Sequence, residues 1–319
     1  MEGGNKRLAV LVGCNYPNTP NELHGCINDV LEMRDMLVKR FGFEPTNIEV
    51  LTDDEVGGSG SGSRGLPTGA NIKKALGDMV DKAEEGDVLY FHYSGHGTRI
   101  PSMKPGHPFR QEEAIVPCDF NLITDLDFRQ LVNRVPNGAS LTILSDSCHS
   151  GGLIDKEKEQ IGPSSHKPEN NGPSTPKPKP KTIPFSSILQ HLSSLSNINT
   201  SDIGTHLLHF FGSDASLRFT LPFLDLESFQ PLSPDDGILL SGCQADETSA
   251  DMAPTLAGGK AYGAFSNAVH TVLQDNPRAL TNRDLVVMAR KLLQQKGFVQ
   301  HPCLYCSDHN ADATFLWES

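Results

Sequence analysis

The 319-residue sequence predicts an α/β fold with a mostly parallel central sheet and helices on both faces. Three observations carry this. Continuous apolar runs of strand length, such as Leu8 to Val12 and Val88 to Phe91, read as strands buried on both faces. Amphipathic segments with helical spacing alternate with them. Glycine-containing polar turns follow two of the runs directly, HYSGHG after Val88 to Phe91 and SDSCHSGG after Leu141 to Leu144.

In chain order, Leu8 to Val12 is the first strand. Asn21 to Phe41 has Leu23, Ile27, Val30, Leu31, Leu37 and Val38 on a near-helical stripe that stops at Gly42, and Ile48 to Leu51 is the next strand. Thr68 to Ala83 is helical, with Ile72, Leu76, Met79 and Val80 on one face. The strands before His96 and Cys148 come next, separated by a loop and a helix over Asp127 to Val135. Asp53 to Pro67, containing GGSGSGSRG, and Lys156 to Lys181, rich in Pro, Lys, Ser and Asn, read as solvated loops. Beyond them lie helices over Phe185 to Leu195 and Asp202 to Phe211, a strand at Gly237 to Gly242, helices over Ala264 to Leu273 and Asn282 to Lys296, and a last strand at Cys303 to Cys306. The expected division is 1–154, a linker 155–183, and 184–319.

Net charge is −12, from 39 acidic against 27 basic residues, which disfavours nucleic acid and favours basic partners, or simply keeps the surface soluble. No 18-residue apolar run marks a membrane span, and Met1 to Arg7, leading into only a short apolar strand, is not expected to act as a secretory leader. Seven cysteines, an odd number, suggest reduced thiols and a cytoplasmic setting, with release on cell lysis left open.

If the strands ending in His96 and Cys148 are parallel neighbours, both turns open on the edge where α/β folds bind ligands. His96 stands about 50 residues before Cys148, a caspase-like order and spacing. A thiolate needs only an imidazole to activate it and to protonate a leaving amine. The backbone N–H groups of Gly97 and Cys148 are the candidate oxyanion donors. The alternative for each residue alone is a buried structural cysteine or a satisfied core histidine.

The motifs HYSGHG and DSCHSG, the opening RLAVLVGCNYP, the run GCINDV, and the later SGCQADETSAD together resemble the metacaspases, and the long insert after the cysteine resembles the plant type II group. The resemblance runs from about Lys6 to the C-terminus. It implies a caspase-like fold with large and small subunit regions and a cysteine endopeptidase, made as a zymogen, that cuts after Arg or Lys in programmed cell death. It also implies an S1 pocket lined by Cys26, Asp29, Ser94 and Asp146, and a processing site near the linker. Two carboxylates suit a guanidinium or ammonium. Lys177, Lys179 and Lys181 interleave with prolines, and only Lys181 is followed by a non-proline, Thr182, so autocleavage is expected between Lys181 and Thr182. A plain flexible spacer is the alternative.

Many metacaspases hold calcium with acidic residues after the histidine. Here Pro101 to Gln111 contains none, so a tight site is not expected, although Glu112, Glu113, Asp119, Asp125 and Asp127 could supply oxygen ligands; no metal or other cofactor is expected, and the resemblance implies a calcium-independent enzyme that favours mildly acidic pH. Cys303 and Cys306 have zinc-site spacing with His301 and His309 nearby, but no second pair, so strand-end packing is the expected role. The contrasting functional reading is an idle acidic scaffold that binds basic proteins.

Overall fold

The computed structural model describes residues 5–54, 65–101, 111–149, 153–154, 158–162, 178–220, 237–244, 247–254 and 259–316. Nearly all of the GGSGSGSRG loop, 102–110 of the segment expected to lack calcium ligands, and Lys177 lie outside them.

In chain order the elements are β1 (Arg7–Gly13), α1 (Cys26–Phe41), β2 (Ile48–Thr52), α2 (Gly69–Asp81), β3 (Val88–Ser94), β4 (Gly97–Pro101), β5 (Gln111–Ile115) and β6 (Ile123–Thr124). Then come α3 (Asp125–Val132), β7 (Ser140–Asp146), β8 (Glu159–Ile161), β9 (Lys179–Pro180), α4 (Phe185–Ser196), α5 (Ile203–Phe211) and α6 (Leu217–Thr220). The chain continues through β10 (Ile238–Ser241), β11 (Ala250–Met252), β12 (Tyr262–Gly263), α7 (Ala264–Asp275), α8 (Asn282–Gln295), β13 (Cys303–Tyr305) and α9 (Asp308–Asp312).

Among the described residues the main sheet has the order β2-β1-β3-β7-β10-β13-β8. Its first five strands are parallel, and β13 runs antiparallel to both of its neighbours. All seven residues of β3 are buried, as an apolar run in a sheet covered on both faces requires. On one face α1, α7 and α8 contribute Val30, Met33, Leu37, Val269, Leu285 and Val286 to a core. On the other, α2 and α3 contribute Ile72, Leu76, Met79, Phe128 and Leu131. Gly42 ends α1 in the left-handed region (φ 69°), where its N–H caps the Leu37 carbonyl.

Two features depart from the sequence reading. The antiparallel set β4-β5-β6 was not foreseen; it packs with α4, α5 and α6 on a third core. The segment Lys156 to Lys181 is not wholly a solvated loop: β8 pairs with β13 at the sheet edge, β9 pairs with β11, and the Lys181 side chain is fully buried. A lysine is buried only where charges meet it, and those charges lie far away in sequence.

Candidate active site

The parallel register of β3 and β7 sets Ser94 opposite Asp146, so the turns carrying His96 and Cys148 leave the sheet side by side. The two turns touch. A Cβ on Gly97 would stand 1.8 Å from the Cys148 carbonyl oxygen, so only glycine permits the approach. His149, immediately after the cysteine, is held in the left-handed region at φ 57°.

The linker passes through this junction as an extended strand. Gly97 N–H and Cys148 N–H both donate to the Lys181 carbonyl oxygen, at 3.0 and 3.1 Å. Lys181 N–H donates to the Ser249 carbonyl at 2.9 Å, and the Ser249 N–H points at the Cys148 sulfur at 3.0 Å. Beyond the carbonyl, Thr182 bridges to Gly97, and Ile183 N–H donates to the Gly97 carbonyl at 3.1 Å. The two amides singled out in the sequence thus grip one peptide carbonyl in the manner of an oxyanion hole.

His96 is fixed by its ring and its backbone. Its Nε2 donates to the Asn21 carbonyl at 2.7 Å, and its backbone N–H donates to the Tyr16 hydroxyl at 2.9 Å. The Tyr16 ring lies 4.8 Å from the imidazole. With Nε2 occupied by a carbonyl, the free lone pair is on Nδ1, which is buried without a hydrogen-bond partner. Burial pulls the imidazole down to about 4, outweighing the Asn21 carbonyl, so it is neutral near neutral pH.

The Lys181 side chain enters a closed acidic pocket. Its Nζ lies 2.8 Å from Ser94 Oγ, 3.1 Å from the Asp146 carbonyl, 3.3 Å from Asp146 Oδ2 and 3.5 Å from Asp29 Oδ2. Each carboxylate has further donors. Asp29 receives the Ser94 hydroxyl at 2.6 Å and the Gly263 N–H; Asp146 receives the Ser249 hydroxyl at 2.6 Å and the Ser266 N–H at 2.8 Å. Burial pushes Asp29 up to about 7 despite the Lys181 ammonium. Burial acts on Asp146 in the same sense, but the ammonium and its hydrogen bonds outweigh it and hold that carboxyl below the usual range. Cys26 is fully buried close to Lys181 and Ser94, its thiol pushed up by burial.

All four pocket positions named from the sequence therefore meet around Lys181, and His96, Gly97 and Cys148 meet around its carbonyl. Sequence reasoning missed Gly263. Its absent Cβ would stand 2.2 Å from Lys181 Nζ and 2.3 Å from Asp146 Oδ2, so it forms a wall of the pocket. It also missed Ser249 and Ser266, which brace Asp146, and Asn21, whose carbonyl orients His96. Ser249 lies in the SGCQADETSAD run, and a glycine before an apolar helical stripe was the available signal for Gly263. Asp251 was missed too: it caps the approach to α1 by accepting His24 and Gly25 N–H groups. Among the described residues no group of three metal-binding side chains occurs, and no helix is long and apolar enough to cross a membrane.

Fold and junction together define a cysteine peptidase with a caspase-like sheet, and the chain belongs to the caspase-domain family, whose model, described as Caspase domain, matches residues 6–314. Within that class its relatives are metacaspases. It is 62% identical to Metacaspase-9 of Arabidopsis thaliana, over 98% of this chain and 97% of that one. It is 38% identical to Metacaspase-6 of the same plant, over 97% and 99%. Metacaspase-1 of Schizosaccharomyces pombe is 33% identical over 95% of this chain and 67% of its own length. A solved protein from Geobacter sulfurreducens shares the fold, with a TM-score of 0.61 at 18% identity over 97% of each chain.

Proposed function

We propose that His96 and Cys148 form the catalytic dyad of an endopeptidase that cleaves after Lys or Arg, and that the chain is a zymogen matured by cutting its own Lys181–Thr182 bond. One observation carries the reading: the Lys181 carbonyl is held by two converging N–H groups while its ammonium fills a pocket of two carboxylates. The Cys148 sulfur attacks the Lys181 carbonyl carbon, and the developing oxyanion stays on the Gly97 and Cys148 amides. The thiol proton passes through His96 Nδ1 to the Thr182 nitrogen, which leaves as an amine. Water, deprotonated by the same imidazole, then hydrolyses the thioester.

Cys26, Asp29, Ser94 and Asp146 form the S1 pocket in this reading. An arginine side chain also suits it, since a guanidinium can pair with the ionised Asp146 and donate to the Asp29 carboxyl oxygen. Lys179, two residues before Lys181, donates from Nζ to the Glu22 carbonyl at 2.5 Å and the Pro20 carbonyl at 3.3 Å, so a second basic side chain is favoured there. The large region 1–154 and small region 184–319 stay joined through the shared sheet after the linker 155–183 is cut. The enzyme works without calcium or another cofactor, at mildly acidic pH, in the cytoplasm or after release by lysis, on proteins with exposed Arg or Lys, in proteolysis linked to cell death.

The test incubates the purified chain and its Cys148→Ala form across pH, with calcium and with a chelator, and sequences new N-termini. Thr182 as a new N-terminus in the parent alone, with or without calcium, is the expected result. A nick in the Cys148→Ala form, or cleavage after an acidic residue, overturns the assignment.

A further inference from the structure

The bond proposed to be cut is held firmly on both sides. On the acyl side Lys181 fills its pocket, its carbonyl is gripped by two amides, and Lys179 and Pro180 pair with β11. On the amine side Ile183 is fully buried in the core that β4, β5 and the following helices share, with Ile100, Ala114, Phe120 and Ile188 around it. Its N–H also donates to the Gly97 carbonyl, next to His96. Pro184 then leads directly into α4, which packs with α5 on the same core.

An ordinary amine product diffuses away from the thioester. Here it is anchored one residue from the reacting nitrogen, at an effective concentration on the order of millimolar or higher. We propose that the same site also forms peptide bonds: the Thr182 amine reseals the Lys181 thioester on Cys148, and nicked and intact chains exchange. The inference rests on the proposed cleavage after Lys181.

In resealing, the Thr182 nitrogen lone pair attacks the thioester carbon, the C–N bond forms and the C–S bond breaks. The proton lost by the amine passes through His96 to the departing thiolate, and the oxyanion uses the same two amides. Starting from the nicked acid, the Lys181 carboxylic acid and the Cys148 thiol first condense to the thioester and release one water. No oxidant or second substrate is consumed.

The experiment isolates self-nicked chain, incubates it, and measures regenerated full-length chain and the Lys181–Thr182 junction by mass spectrometry. Expected is return of the junction in on the order of a tenth of the molecules or more, abolished when Cys148 is alkylated. Ile183→Ser removes the anchor, so its resealed fraction is expected to fall about tenfold while small Lys peptides are still hydrolysed. A second measurement needs no variant: a tagged Thr-Ile-Pro-Phe peptide added during self-cleavage is expected to become joined to Lys181. Nicked parent that never regains the junction, no peptide joining, or resealing in Ile183→Ser equal to the parent overturns the inference. Failure of Thr182 to appear as an N-terminus sinks the cleavage reading itself, whereas nicking with peptide turnover but no resealing sinks only this one.

Discussion

Replacing Gly263 with alanine tests the acidic pocket at its least obvious wall. The glycine backbone sits at φ −74° and ψ 136°, which alanine adopts freely, so the substitution costs nothing in the main chain. The added methyl would lie 2.2 Å from the Lys181 ammonium, 2.3 Å from Asp146 Oδ2 and 2.5 Å from Asp29 Oδ2, all well inside van der Waals contact. The ammonium must retreat by about an ångström or more, giving up two of its charge-assisted contacts, each of which contributes about 1.5–3 kcal/mol. A loss of about 3–6 kcal/mol corresponds to a fall in kcat/KM of about 10²–10⁴-fold for Lys peptides, at about 1.4 kcal/mol per decade. The assay compares kcat/KM for peptides with P1 lysine and with P1 ornithine, one methylene shorter. The ornithine peptide is expected to lose less, because its ammonium stops short of the methyl and feels only the displaced carboxylates. Equal losses on both peptides, or a Lys loss under about fivefold, would show that Gly263 does not bound the pocket.

Three further outcomes follow from the same geometry. His96→Ala and Cys148→Ala should each abolish most turnover of small basic peptides while the double variant costs little more, because the two groups act as a unit; additive losses would break the dyad. Lys179→Ala should slow the appearance of the Thr182 N-terminus by up to about tenfold, as a charged donor to two carbonyls is lost, and an unchanged rate would remove that contact from recognition. Stability of the Cys148→Ala zymogen should fall with acid: burial holds His92 down to about 3 and His96 to about 4, so the unfolded chain binds more protons below about pH 6.5. Asp29, raised to about 7, acts in the opposite sense and cancels about one imidazole, leaving a slope of about 1.4 kcal/mol per pH unit between about pH 6.5 and 4. Urea midpoints that stay flat over that window would contradict the buried neutral imidazoles.

Local pattern made the sheet readable. Leu8 to Val12 and Val88 to Phe91 are apolar throughout, and Leu141 to Leu144 is apolar but for Thr142, because helices cover both faces, and each forms a strand. The amphipathic stripes became helices with ends displaced by a few residues; α1 starts at Cys26, not Asn21, because the preceding loop instead delivers the Asn21 carbonyl to His96. Short strands with little alternation, β4 to β6, β8, β9, β11 and β12, left no periodic signal to read.

The sequence by itself determined which chemistry the chain carries: an imidazole and a thiol at the ends of two buried strands, carboxylates within the GCINDV and DSCHSG runs, and, in the Lys-Pro tract from Lys177 to Lys181, one lysine not followed by proline. Only the tertiary structure decided where that lysine goes and what surrounds it. Gly97 meeting Cys148, Gly263 facing the ammonium, and Ile183 buried beneath helices are contacts between residues distant in the chain. Such closeness is set by sheet register and by the absence of a side chain, and neither leaves a periodic trace in the order of residues.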